Sequence, residues 1–156
     1  MTEPQGPCHA RLDDQLCFAL YAASKAVSGA YRALLKQLDL TYPQYLTMLA
    51  VWEKDGSTVA ELGDALDLDS GTLSPLLQRL ERAGLIRRAR ADIDERVVRV
   101  YATVEGLAME ARATPVRLAV ESATGLNESE FAELRERLHR LRRTIAAQEI
   151  PEFAAL

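Results

Sequence analysis

Cys17 carries the most reactive side chain in the sequence. It stands in Gln15-Leu16-Cys17-Phe18-Ala19-Leu20-Tyr21, and the only other cysteine is Cys8. A thiol reacts as its thiolate, which needs hydroxyl donors or positive charge nearby. In apolar surroundings it is instead a buried small hydrophobe. Both readings are open here. Leu16, Phe18 and Leu20 are the apolar surroundings, while Tyr21, Tyr31 and Tyr42 place three of the five tyrosines in the same early region. Tyr21 follows Cys17 by one helical turn and can share its side. Tyr31, about two and a half turns further on, meets Cys17 only through a fold-back or another chain. Two cysteines are too few for a disulfide framework. His9 and His139 are far apart, and there is no Cys-x-x-Cys or His-x-x-x-His pair. Neither a metal site nor a cofactor is therefore expected.

The second group with chemistry to offer is cationic. A net charge of -4 argues against a polyanionic partner. Yet Arg79, Arg82, Arg87, Arg88, Arg90, Arg96 and Arg99 crowd one stretch. An acidic protein binds DNA through a local basic surface of this kind, although such a cluster is also what a solvated face looks like.

The elements that must position these groups follow from periodicity and punctuation. Residues up to about 11, with two prolines and a glycine, read as a loose tail. From Leu12 the apolar residues recur at helical spacing to about Gln37, too long a stripe to face solvent alone, which suggests packing on another long helix. Thr41-Tyr42-Pro43 opens a second helix to about Lys54, with proline in its first turn and Trp52 as core. Ser57 or Thr58 caps a short helix from Val59 to Leu66. After the Leu66–Ser70 turn another helix runs to about Ala83 and ends at Gly84. Pro75 is tolerated there if the helix begins near Gly71 or Thr72; otherwise it kinks the helix. Leu85–Arg90 and Arg96–Ala102 read as two strands around a polar loop over 91–95. Thr103 caps a helix that Thr114-Pro115 interrupts or bends. Asn127-Glu128-Ser129-Glu130 is a capping box opening a last helix to about Ala147.

Three helices followed by a hairpin form the winged helix-turn-helix plan, so the chain is read as mainly α. In the Ser70–Ala83 helix Leu73, Leu76, Leu77 and Leu80 point inward, leaving Ser70, Thr72, Ser74 and Gln78 near the leading end to face a DNA groove. Arg79 and Arg82 are placed for contact with the DNA backbone or for pairing around Glu81. Arg88, Arg90 and Arg96 surround the wing loop, where arginine enters the minor groove and Asp94 can orient Arg96. No apolar run is long enough to cross a bilayer, and the N-terminus lacks the apolar core of a secretory signal. A cytoplasmic, non-enzymatic protein is expected.

The segments Gln15–Ser24, Leu40–Leu46, Leu68–Leu77 and Asp92–Arg96 resemble the organic hydroperoxide-sensing repressors of the MarR family. The resemblance covers roughly Leu12 to Leu107. It implies one domain over 12–156, with a winged core at about 40–103 and dimerisation helices at about 12–37 and 104–147. It further implies a homodimer on a pseudo-palindromic operator and an organic hydroperoxide as inducer. Cys17 would be the peroxide-reactive thiol, bonded by Tyr31 and Tyr42 of the partner subunit, with Tyr21 and Phe18 lining the pocket. Some members resolve the oxidised sulfur with a second cysteine in a C-terminal helix. No cysteine follows Cys17 here, so a low-molecular-weight thiol is the expected capping group. Cys8 is the alternative, because about four extended residues reach ~13 Å and the helix from Leu12 to Cys17 rises only ~7.5 Å. Two rival expectations are a repressor relieved by a reversibly bound aromatic or apolar molecule, and a thiol peroxidase.

Overall fold

The computed structural model describes residues 11–90 and 96–148. Cys8 in the tail and the wing loop with Asp94 lie outside the described residues. The chain forms two compact units, one ending at Val120 and one beginning at Glu121.

The first helix, α1, spans Leu16–Leu35 and does not begin at Leu12 as the apolar spacing suggested. Leu12–Asp14 is a single 3-10 turn, and Gln15 after it is extended at φ -88 and ψ 116. Asp13 and Asp14 are weak helix-interior residues. Leu12 is exposed, so no burial compensates for them. A second 3-10 turn, Lys36–Leu38, leads through Asp39 in the left-handed region into α2, Tyr42–Glu53. Thr41 and Gln44 close a capping box there, the Thr41 N–H donating to Gln44 Oε1 at 2.8 Å. Periodicity caught the Pro43 signal but not this reciprocal pair.

Next come β1 (Ser57–Thr58) and α3 (Val59–Leu66). Thr58 caps α3, as its position suggested, in a box with Glu61. Asp67 adopts the left-handed conformation that turns the chain, and Asp69 caps α4, Ser70–Arg82. Pro75 falls in the second turn and the helix continues through it. The N–H that proline lacks would have paired with the carbonyl of Gly71, close to the helix start where few bonds are at stake. At the far end Gly84 takes φ 73, and the Leu85 N–H reaches back to the Leu80 carbonyl at 3.0 Å. This is the six-to-one closure that favours glycine after a helix.

The hairpin strands are β2 (Ile86–Arg90) and β3 (Val98–Ala102), in register from Ile86 opposite Ala102 to Arg90 opposite Val98. The sheet has a third strand the sequence did not announce: β1 pairs with the other edge of β3, giving the order β1-β3-β2. Two residues carry no periodicity, and their partner lies some forty positions away.

Helix α5, Val104–Ala123, runs on through Pro115, so of the interruption or bend expected from Thr114-Pro115 the interruption does not occur. The buried face of Met109, Ala113, Val116 and Val120 offsets the missing hydrogen bond. Thr103 caps the helix by accepting from the Gly106 N–H at 3.0 Å and donates its hydroxyl to the Gly84 carbonyl at 2.6 Å. Helix α6, Glu128–Ala146, opens with the expected Asn127–Glu130 box and has no buried residue. Leu134, Leu138 and Ile145 stand exposed on it.

The core of the first unit gathers Leu35, Tyr45, Met48, Val51, Leu62, Leu73, Leu77, Leu80, Ile86 and Val100, all almost fully buried. Gly106 sits against it so closely that a Cβ there would lie 2.0 Å from the Leu85 carbonyl oxygen. Trp52 joins the same place, donating its indole N–H to the Gly106 carbonyl at 2.9 Å.

Candidate functional site

Helix α4 is anchored by Leu73, Leu76, Leu77 and Leu80. Its other side leaves Ser70, Thr72, Gln78 and Arg79 exposed and Ser74 half-buried, as the 3.6-residue period required. Ser74 also lines a groove of about 430 Å³ with Thr58, Val59, Arg88, Arg96 and Val98. The helix and the base of the wing thus share one concave surface, and arginine stands on its wing side.

The arginines of this stretch are not equivalent. Arg88 donates through Nε and Nη2 to Glu81 Oε2 at 3.0 and 2.7 Å, and its backbone N–H reaches Glu81 Oε1 at 3.0 Å. Those bonds hold the Glu81 carboxyl below the usual carboxylate range, and they brace α4 against β2. The guanidinium of Arg87 lies 4.2 Å from the centre of the Tyr101 ring, and Arg99 donates to the Gly56 carbonyl at 2.8 Å. Arg79 and Arg90 are exposed, as is Arg96 at the start of the described part of the wing. The spacing argument grouped all seven arginines; it had no means of telling the braces Arg87, Arg88 and Arg99 from the rest.

The sulfur end is built differently. Cys17 is exposed, not sealed among its apolar neighbours, while Phe18 is half-buried. Leu16 and Tyr21 beside it are 63% and 59% exposed, so among the described residues this end of α1 carries an uncovered apolar surface. The Lys25 ammonium stands 5.3 Å from the centre of the Tyr21 ring. Tyr31, by contrast, is buried and stacks on Tyr42 with ring centres 4.4 Å apart and on Tyr45 at 5.5 Å. Burial pushes the Tyr42 phenol up from its ordinary pKa. It therefore stays protonated and keeps its hydroxyl as a donor. Tyr42 also lines a concavity of about 590 Å³ with Ser28, Arg32, Lys36, Leu40 and Pro43.

Cys17 and Tyr31 do not meet within one chain. Cys17 and Tyr31 are 14 positions apart on one unbroken helix, a separation of about 21 Å at ~1.5 Å per residue. The fold-back left open by the sequence is excluded.

Among the described residues there is no group of His, Cys, Asp or Glu fit to hold a metal, and no helix is long and apolar enough to cross a membrane.

A family model described as transcriptional regulator SarA/Rot matches residues 30–109, from the end of α1 to the start of α5. The chain belongs to the MarR-like winged-helix family of transcriptional regulators. This regulator is similar to the HTH-type transcriptional regulator TtmR of Methylorubrum extorquens, with 46% identity over 82% of this chain and 69% of the relative. It is also similar to the organic hydroperoxide resistance transcriptional regulator of Bacillus subtilis, with 39% identity over 88% of this chain and 93% of the relative. Among solved structures, reduced AbfR bound to DNA, a protein of Staphylococcus epidermidis, shares 34% identity with a TM-score of 0.71 over 87% of this chain and 95% of that one. The family and these relatives are transcriptional regulators and not enzymes, which sets the peroxidase expectation aside.

Proposed function

We propose that this regulator is a homodimeric repressor that grips a pseudo-palindromic operator while Cys17 is a free thiol, and releases it once an organic hydroperoxide has oxidised that sulfur. One observation carries the reading: the exposed Cys17 and the buried Tyr31, which stacks on Tyr42 of α2, lie on one unbroken helix about 21 Å apart. A pocket that needs both must be completed by a second copy. Cys17, Ser24 and Tyr31 fall at intervals of seven on one face of α1. Ser24 is midway, so two α1 helices crossing antiparallel about a two-fold axis at Ser24 set each Cys17 beside the partner's Tyr31. That arrangement is isologous, as a two-fold interface must be. It also covers Leu16 and Tyr21, while the exposed stripe on α6 offers further apolar surface for the same purpose. The relatives that are an organic hydroperoxide regulator and a protein described by its reduced state support the redox reading.

The chemistry balances as follows. The Cys17 thiolate attacks the terminal oxygen of R–O–OH; the O–O bond breaks, and with one proton the products are Cys17–SOH and R–OH. A low-molecular-weight thiol R′–SH then condenses with the sulfenic acid to give Cys17–S–S–R′ and water. Sulfur gains bulk and exchanges its S–H for an S–S bond. The tyrosine hydroxyls that were its donors must shift, and with them the start of α2 and the spacing of the two α4 helices on successive major grooves. Ser70, Thr72, Ser74, Gln78, Arg79, Arg90 and Arg96 are the DNA-facing set, and Arg88 is the brace that holds the wing to α4.

The 590 Å³ concavity beside Tyr42 favours one second reading, relief by a reversibly bound apolar or aromatic molecule. Operator binding by wild type and Cys17→Ser, with and without a lipid-type hydroperoxide, separates the two. The serine variant is expected to bind normally and to stay bound under peroxide. Release at the wild-type rate would remove the sulfur from the mechanism.

A further inference from the structure

The first turn of α4 already has one side chain tied down. Asp69 accepts the Thr72 N–H on Oδ1 at 2.8 Å and the Thr72 hydroxyl on Oδ2 at 3.1 Å. The same two bonds, the backbone one first, hold the Asp69 carboxyl below its ordinary range. It is therefore ionised in use and has no proton to give, so the hydrogen between the two oxygens belongs to Thr72. A threonine hydroxyl has one proton. With that proton committed to Asp69, and the side-chain torsion fixed by it, the Thr72 oxygen can only accept, which the acceptors thymine O4 and guanine O6 cannot answer, and the other branch of Cβ is the group that exposed Thr72 offers for apolar contact. That branch is a methyl group. Gly71 precedes it with no side chain to hold the helix off a surface. In the major groove thymine is the base that presents a methyl of its own, and apolar contact with it is a recognised mode of readout.

We propose that Thr72 is a specificity-determining residue that reads a thymine 5-methyl group in each operator half-site through its own methyl, with Asp69 as the positioning residue that turns the hydroxyl away. This rests on the reading that α4 enters the major groove. Removing one methyl–methyl contact is expected to weaken binding about fourfold per half-site, and about sixteenfold when both half-sites are altered.

The test starts from an operator selected from random duplexes by the full-length wild-type protein. Each thymine is then replaced in turn by deoxyuridine, which removes only the 5-methyl. One thymine per half-site is expected to lose about fourfold affinity for wild type and none for Thr72→Ser, a variant that keeps the hydroxyl and its bond to Asp69. Thr72→Val keeps a methyl and is expected to keep the sensitivity to deoxyuridine. If Thr72→Val loses the preference while Thr72→Ser retains it, the hydroxyl does the reading and the proposal is wrong. A scan with no thymine coupled to Thr72 overturns it equally. Protection of guanine N7 from methylation on the same duplex reports whether a helix occupies the major groove at all. Protection without a coupled thymine defeats this proposal alone, and absence of protection defeats the reading beneath it.

Discussion

The DNA-reading and sulfur-bearing regions of this chain are built to opposite standards. Around α4 four leucines are buried, Asp69 and Thr58 cap adjacent helices, and Glu81 ties α4 to the wing. Along the first three turns of α1 no residue is buried, and the Cys17 sulfur is exposed. A reader has to present a rigid surface to a rigid duplex, so its geometry is closed within one chain. A switch has to have two arrangements, and one that is assembled between copies changes both half-site readers together. Under the proposed two-copy arrangement, the contrast marks where a single chain ends as a functional unit.

Five experiments break or sharpen that contrast. The largest effect is expected at the open end. With Cys8 and Cys17 both changed to serine, Ser24→Cys should form an intersubunit disulfide under mild oxidation, converting most of the protein to a covalent dimer on a non-reducing gel. Leu16→Arg should weaken self-association by a hundredfold or more. A wild type that sediments as a monomer at micromolar concentration would end the two-copy argument. Gly106→Ala tests the closed end, where the added Cβ meets the Leu85 carbonyl at 2.0 Å. It should lower unfolding stability by about 3 kcal/mol or more in a denaturant titration, as overpacking against backbone does. Thr58→Ala should cost about 1 kcal/mol through the lost cap of α3. The effect should be independent of protein concentration, unlike that of Leu16→Arg.

The smallest effect is electrostatic. Hydrogen bonds from the Lys54 ammonium and the Thr58 N–H lower Glu61 from the ordinary 4.5 to about 2. A carboxyl depressed by folding contributes stability above its unfolded value and loses it as pH falls from about 4.5 through about 2. Glu61→Gln should therefore flatten the acid limb of a stability–pH curve slightly. No change above pH 5 in that slope is expected, and an unaltered acid limb would show the box to be energetically idle.

Much of this was legible in advance, and for identifiable reasons. Thr58, Asn127 and Gly84 announce helix ends by chemistry that acts over three or four residues. The leucines of α4 announce its buried face by their period. The Thr41–Gln44 box is equally local and was open to the same reasoning. The break at Gln15 and the continuity through Pro115 were misjudged because each depends on whether burial elsewhere compensates a weak local preference. The third strand and the Glu81–Arg88 brace were invisible because their partners lie far along the chain or across elements. For the sulfur site the residue types were plain, while the exposure of Cys17 was not. Apolar neighbours in sequence suggested burial that the single chain does not provide.

By itself the sequence determined which segments are helices, where most of them stop, and which side of α4 faces outward, because those outcomes rest on torsions, caps and periods within a few residues. Only the tertiary structure decided which arginines are braces, how closely Gly106 lets α5 approach Leu85, and that Cys17 is exposed while Tyr31 is buried against Tyr42 and Tyr45. Those outcomes depend on distances between elements, and no local preference encodes a distance.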